Sequence, residues 1–62
     1  MRNNLISFRK GLSLSQVEMA GSLGISTSFY IKIELGERNP SFNFLCKFKN
    51  SFNCSIDGIF FA

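Results

Sequence analysis

Only two side chains suit soft-metal or redox chemistry, Cys46 and Cys54, and the chain has no histidine. Two thiolates fall short of the ligand set of a tetrahedral zinc site. They could close one disulfide, but Met1 to Lys10 lacks the apolar stretch of roughly 7–15 residues that follows the basic start of a secretory signal. Both therefore read as small buried hydrophobes in a reducing cytoplasm. No paired carboxylates and no phosphate-cradling glycine loop stand out, so acid–base or nucleophilic catalysis has no visible apparatus. The chain is expected not to be an enzyme and to use neither cofactor nor metal. What remains is charge: Lys and Arg number 7 against 4 Asp and Glu, a net +3 that suits a polyanionic partner.

The elements that must carry those charges are short. Sixty-two residues make one domain, expected over 1–62. A chain of this size buries only about 60% of its unfolded surface, so dense packing or a partner subunit must help. Its 45% hydrophobic content and 8 Phe supply the packing. No apolar run approaches the roughly 20 residues that cross a bilayer.

Gly24, Gly36 and Pro40 divide the chain into helical lengths. Ser15, Ser26, Ser41 and Ser55 each precede a segment of helical periodicity, as N-capping hydroxyls do. The spacing predicts helices over about Arg2–Leu12 (Leu5, Phe8 and Leu12 inward), Gln16–Leu23 (Met19, Ala20, Leu23) and Thr27–Leu35 (Tyr30, Ile33). It also predicts Phe42–Phe52, with Phe42, Leu45, Phe48 and Phe52 inward, and a short Ile56–Phe60 closing the core. No window shows strand alternation with hairpin signals. The expected fold is all-α, five short helices in one body.

Between the second and third segments lie Gly24, Ile25 and Ser26. One helix ends at a glycine, an apolar residue plugs the turn, and a hydroxyl caps the next helix. Two helices joined so tightly cross steeply, with small Ala20 where their backbones approach. That is the physics of a helix-turn-helix, whose second helix projects into the DNA major groove.

Here the sequence resembles the Cro and phage-repressor type (XRE-type) of helix-turn-helix proteins, which have a lambda-repressor-like domain. The likeness is carried by Leu14-Ser15-Gln16, Met19-Ala20, Leu23-Gly24-Ile25-Ser26, Lys32-Ile33-Glu34, Gly36 and Arg38-Asn39-Pro40-Ser41, with Cys54 through Phe60 similar to the family's last helix. The resemblance implies a sequence-specific double-stranded DNA-binding regulator, a repressor in function, located in the cytoplasm. It implies that Gln16 grips the DNA backbone from a helix N-terminus. Ser26, Thr27, Ser28 and Lys32 belong to the DNA-contacting set, the last three facing base edges, and Arg38 and Asn39 form a second phosphate clamp. Plainer readings stand beside these: a solvent-facing glutamine, hydroxyls favouring a helix start, a solvated loop arginine. The resemblance also implies a partly buried ion pair, Arg9 with Glu34, whose disruption strands a charge at a cost of several kcal/mol.

Some residues depart from the family pattern. Ser13 stands where a glycine is usual, Lys49 where a small core residue is usual, and Tyr30 where an aliphatic one is, so its hydroxyl needs a partner or an exit to water. Phe44 and Phe61 fall off the inward faces assigned above. They are expected at an isologous homodimer seam that spaces two recognition helices for a near-palindromic operator. The competing reading is a protein-interaction module on the same fold, of antitoxin or anti-repressor kind. A third is a piece of a longer regulator, although a finish at Ala62 fits a complete small protein.

Overall fold

Serine hydroxyls and left-handed residues set the helix boundaries in the computed structural model, which describes residues 1–61. The elements are α1 (Asn3–Gly11), α2 (Gln16–Ser22), α3 (Thr27–Leu35), α4 (Phe42–Phe52) and a single π-type helical turn, α5 (Asp57–Phe61). No strand occurs among the described residues. The expected domain limit at Ala62 lies outside them. The fold is the all-helical arrangement that periodicity and punctuation predict.

The starts are capped as the serines suggest. Ser15 accepts from the Glu18 N–H at 3.0 Å while the Glu18 carboxylate accepts from the Ser15 N–H at 2.9 Å, a complete capping box. Ser26 accepts from Phe29 N–H at 3.2 Å and Ser41 from Phe44 N–H at 3.1 Å. Ser55 forms no such bond among the described residues. The Ser15 backbone and hydroxyl together hold the Glu18 carboxyl below its ordinary pKa.

The ends share one device. After α1, α2 and α3 a left-handed residue lets two N–H groups fold back on the helix's last carbonyls. Gly24 (φ 67°) and Ile25 donate to Gly21 and Ala20 at 3.2 and 3.1 Å. Gly36 (φ 83°) and Glu37 donate to Ile33 and Lys32 at 3.1 and 2.9 Å. Ser13 (φ 60°) and Leu14 donate to Lys10 and Arg9 at 2.9 and 3.3 Å. Asn53 (φ 48°) closes α4 with one bond to Lys49 at 2.7 Å. Ser13 thus holds a conformation that glycine adopts without penalty, the physical reason a glycine suits that position.

The core is built on Leu5, Met19, Ala20, Leu23, Tyr30, Ile33, Phe44 and Phe48, all buried. Phe48 is its hub, with the rings of Phe8, Phe52 and Phe60 centred 5.4, 5.1 and 5.2 Å away and Phe44 stacked at 6.1 Å. Tilted and edge-on rings at these separations are the favoured aromatic geometries. Asn4 ties α1 to α5 by donating to the Gly58 carbonyl at 3.0 Å.

Four expectations are corrected. Phe44 is only 3% exposed and Phe42 is 78% exposed, the reverse of their assignment. At about 100° per residue, Phe44 lies roughly 40° from Phe48 around the helix and Phe42 roughly 120°. The inward stripe is therefore Phe44, Phe48 and Phe52 with Leu45 beside it, and Phe44 is withdrawn from any dimer seam. Leu12 is 44% exposed because α1 stops before it, and Leu14 packs on the core instead. Cys46 is exposed and Cys54 half-buried, so only Cys54 resembles a buried hydrophobe; burial pushes its thiol pKa up, and both thiols are free.

Replacing Ser13 with Gly relieves the left-handed cost of about 1–2 kcal/mol while adding unfolded-state freedom of about 0.5–1 kcal/mol. A net gain of about 0.5–1 kcal/mol in urea unfolding is expected. Unchanged or lower stability would contradict the strain assigned to this turn.

Candidate nucleic-acid interface

Three helices meet at one carboxylate. Glu34, on the inner side of α3, is 2% exposed. Its Oε2 accepts from Arg9 Nε of α1 at 2.7 Å, and its Oε1 accepts from Gln16 Nε2 of α2 at 3.0 Å. Arg9 also donates through Nη1 to the Leu14 carbonyl at 2.9 Å, which ties the α1–α2 turn to the same group. Burial works against ionisation of Glu34, but the hydrogen bonds from Arg9 and Gln16 and the positive charge of Arg9, with the Tyr30 hydroxyl nearby, outweigh it and hold the carboxyl below its ordinary pKa. The hydrogen bond to Glu34 likewise raises Arg9, against the opposing effect of burial.

Tyr30 lies against this network and is fully buried. Burial, then the adjoining Glu34 carboxylate, raises its pKa far above the ordinary phenol range. Its oxygen is close enough to feel both charges, yet it makes no hydrogen bond of good geometry. The exit to water that its unusual position calls for is closed.

Locking α3 along Tyr30, Ile33 and Glu34 turns its other side outward. Ser28 and Lys32 are exposed, Thr27 and Ile31 are half-buried, and Leu35 is 42% exposed. Residues 28, 31, 32 and 35 share one helical face. Ser26 uses its hydroxyl to cap the helix. Phe29 is half-buried against the core. Gln16 is half-buried at the first turn of α2, with one amide N–H committed to Glu34, and its neighbour Val17 is 65% exposed.

The loop after α3 holds Arg38 and Asn39, both exposed. The Arg38 N–H folds back to the Lys32 carbonyl at 3.3 Å, which sets this loop beside the end of the outward face. Asn39 is not free, since its Oδ1 accepts from Arg2 Nη2 at 3.3 Å. In the sequence Arg2 stands only as the start of the first segment, and no local spacing links it to a residue 37 positions away. Lys47 went unremarked. Its Nζ stands 3.6 Å from where a Cβ on Gly24 would lie, against the turn between α2 and α3. Lys49 projects to solvent. No cluster of three or more potential metal ligands occurs among the described residues, and no helix among them is long and apolar enough to cross a membrane.

This geometry, a glycine-closed α2 set against a capped α3 with an outward polar edge, is that of a helix-turn-helix. The sequence pattern of the helix-turn-helix family matches residues 5–59, and the chain belongs to that family, in its Cro and phage-repressor branch. Among curated relatives it is similar to an uncharacterized HTH-type transcriptional regulator of Archaeoglobus fulgidus, 32% identical over 97% of this chain and 84% of the relative. A similar regulator of Methanocaldococcus jannaschii, MJ0272, is 35% identical over 97% of this chain and 91% of its own length. The cryptic phage CTXphi transcriptional repressor RstR of Vibrio cholerae is 35% identical over 92% of this chain, which spans only 51% of that repressor. No solved structure matches the chain at comparable significance.

Two outcomes are expected of the network. The folded-state pKa of Glu34 lies below its unfolded value of about 4.3, so its contribution to stability is full above that pH and is lost as pH falls through the folded value. Glu18 acts in the same direction. Denaturant unfolding followed between pH 6 and pH 2 (bounds set to span about 2 units either side of that pKa) should show stability falling on the acid side, and a flat profile would contradict it. Replacing Tyr30 with Phe removes an unbonded buried hydroxyl and keeps the ring's shape, so stability should hold or rise by about 1 kcal/mol. A loss of 1 kcal/mol or more (roughly the net worth of one hydrogen bond) would show that the hydroxyl is bonded after all.

Proposed function

We propose that this chain binds double-stranded DNA sequence-specifically and regulates transcription, as a repressor, by setting α3 in the major groove. The observation that carries the reading is the division of α3: Tyr30, Ile33 and Glu34 are fixed inside, while Ser28 and Lys32 are free at the outer edge. Family membership and relatives named as transcriptional regulators, one of them a phage repressor, support it. They point to regulation rather than enzymatic turnover.

Each residue takes a defined part. Lys32 donates to guanine O6 and N7 or to a phosphate, and Ser28 and Thr27 add hydroxyl contacts that discriminate weakly. With side chains this short, sequence-dependent DNA shape supplies part of the selectivity. Gln16 has a second amide N–H for the backbone at the start of α2, where the helix dipole favours an anion. Arg38 and Asn39 hold the phosphates beyond the far end of α3, and Ser26 keeps the first turn of the helix in register.

Two copies bind a near-palindromic operator with recognition helices about 34 Å apart. With Phe44 inside the core, the aromatic surface left for a homodimer seam is Phe61, 65% exposed, with Phe42. The protein then acts in the cytoplasm, where its operator is.

Selection of genomic fragments with the purified protein, followed by affinity measured across salt, tests the proposal. Affinity should fall steeply with salt as bound counterions are released. Lys32→Ala should weaken binding by about 1–3 kcal/mol if it reads guanine, or lower the salt slope by about 1 if it holds a phosphate. Flat salt dependence with no response to that substitution would move the assignment to a protein-binding module.

A further inference from the structure

We infer that Arg2 is a positioning residue for the DNA-backbone contact made by Asn39, an inference that rests on the DNA-binding reading above. Arg2 stands just before α1 and is bound almost entirely to the far end of α3. Its N–H donates to the Glu34 carbonyl at 2.8 Å and its Nη1 to the Ile33 carbonyl at 3.2 Å. Both are among the last four carbonyls of α3, which have no partner four residues on within the helix, and that of Ile33 also accepts from the Gly36 N–H. A guanidinium there also meets the negative end of the helix dipole.

The second arm of the fork holds the loop. Arg2 Nη2 donates to Asn39 Oδ1 at 3.3 Å, while Arg2 Nε is buried with no partner. The guanidinium is therefore turned toward the protein. Its effect on DNA is indirect, through the orientation of the Asn39 amide. With the oxygen held by Arg2, the end of that amide left to face a phosphate is the NH2 group, a donor. Released, the amide turns over as readily as not and presents a carbonyl oxygen to an anion. Arg2 precedes α1 and Arg9 lies in its last turn. One grips Glu34 by its main chain and the other by its carboxylate.

Lysine keeps the charge at position 2 but lacks the planar fork that reaches two acceptors at once. The test compares binding of wild type, Arg2→Ala, Arg2→Lys, Asn39→Ala and the Arg2→Ala/Asn39→Ala double variant to one fragment selected with the wild type. Affinity is measured across salt, at a temperature where thermal scans show every variant folded. Both Arg2 variants should bind about three- to tenfold more weakly, the net worth of one hydrogen bond. Their salt slope should be unchanged, because Asn39 is neutral. The double variant should bind no more weakly than Asn39→Ala alone, the mark of two residues acting through one contact.

Any of four results would overturn the assignment. Wild-type affinity in Arg2→Lys, or a salt slope lowered by about 1 in Arg2→Ala, would make Arg2 itself the phosphate contact. A lowered Tm with unchanged affinity would make it an anchor of the fold only. Additive losses in the double variant would separate it from Asn39. If the wild type bound no fragment in a salt-dependent way, the DNA reading itself would fail, and the positioning role with it.

Discussion

A single buried carboxylate organises this small domain. Glu34 gathers Arg9 from α1 and Gln16 from α2 onto α3, and each of its oxygens is occupied. A charged pair withdrawn from water adds little net stability over a well-packed apolar substitute, but losing one partner costs about 3–5 kcal/mol. For a domain whose total stability is of order 5 kcal/mol, that asymmetry makes the arrangement nearly all-or-none. Its contribution is to geometry. An apolar contact would let α3 slide or rotate against α2, whereas directional hydrogen bonds from two sides fix both its rotation and its depth.

The rest of the packing is arranged so that this network can be polar. The aromatic cluster around Phe48 brings together rings from α1, α4 and α5. The cluster joins α1, α4 and α5, and the Glu34 network joins α3 to α1 and α2. Tyr30 has its ring in the core and its hydroxyl beside the charges, and it carries the one buried side-chain polar atom of α3 that finds no bond.

Much of this was legible in the sequence, where the signals were local. Serines at helix starts and glycines at helix ends act within a few residues, and α3 and α4 run where capping and periodicity place them. The Ser13 departure became intelligible only with its φ of 60°, because a torsion angle cannot be read from a residue type that tolerates several. Phe42 and Phe44 were exchanged because Phe42-Leu45-Phe48-Phe52 and Phe44-Phe48-Phe52 are both acceptable helical stripes, and only the position of the core centre decides between them. Arg2 was invisible for a different reason. Its bonds join residues 31 and 37 positions away, and nothing in the intervening chain marks the meeting. Among the site residues, the outward-facing ones were accessible to reading because they follow from the inward ones by helical rotation. Their chemistry toward DNA follows from no such rule.

The fixed inner side of α3, Tyr30, Ile33 and Glu34, and its exposed edge, Ser28 and Lys32, are made of different residues. Exposed sites such as Ser28 and Lys32 bear little of the fold's free energy, since substitutions on such surfaces usually change stability by no more than about 0.5 kcal/mol. The scaffold is therefore indifferent to what is written on its outer edge. A lineage carrying this body can exchange a handful of outer side chains with the folding problem already solved and left undisturbed.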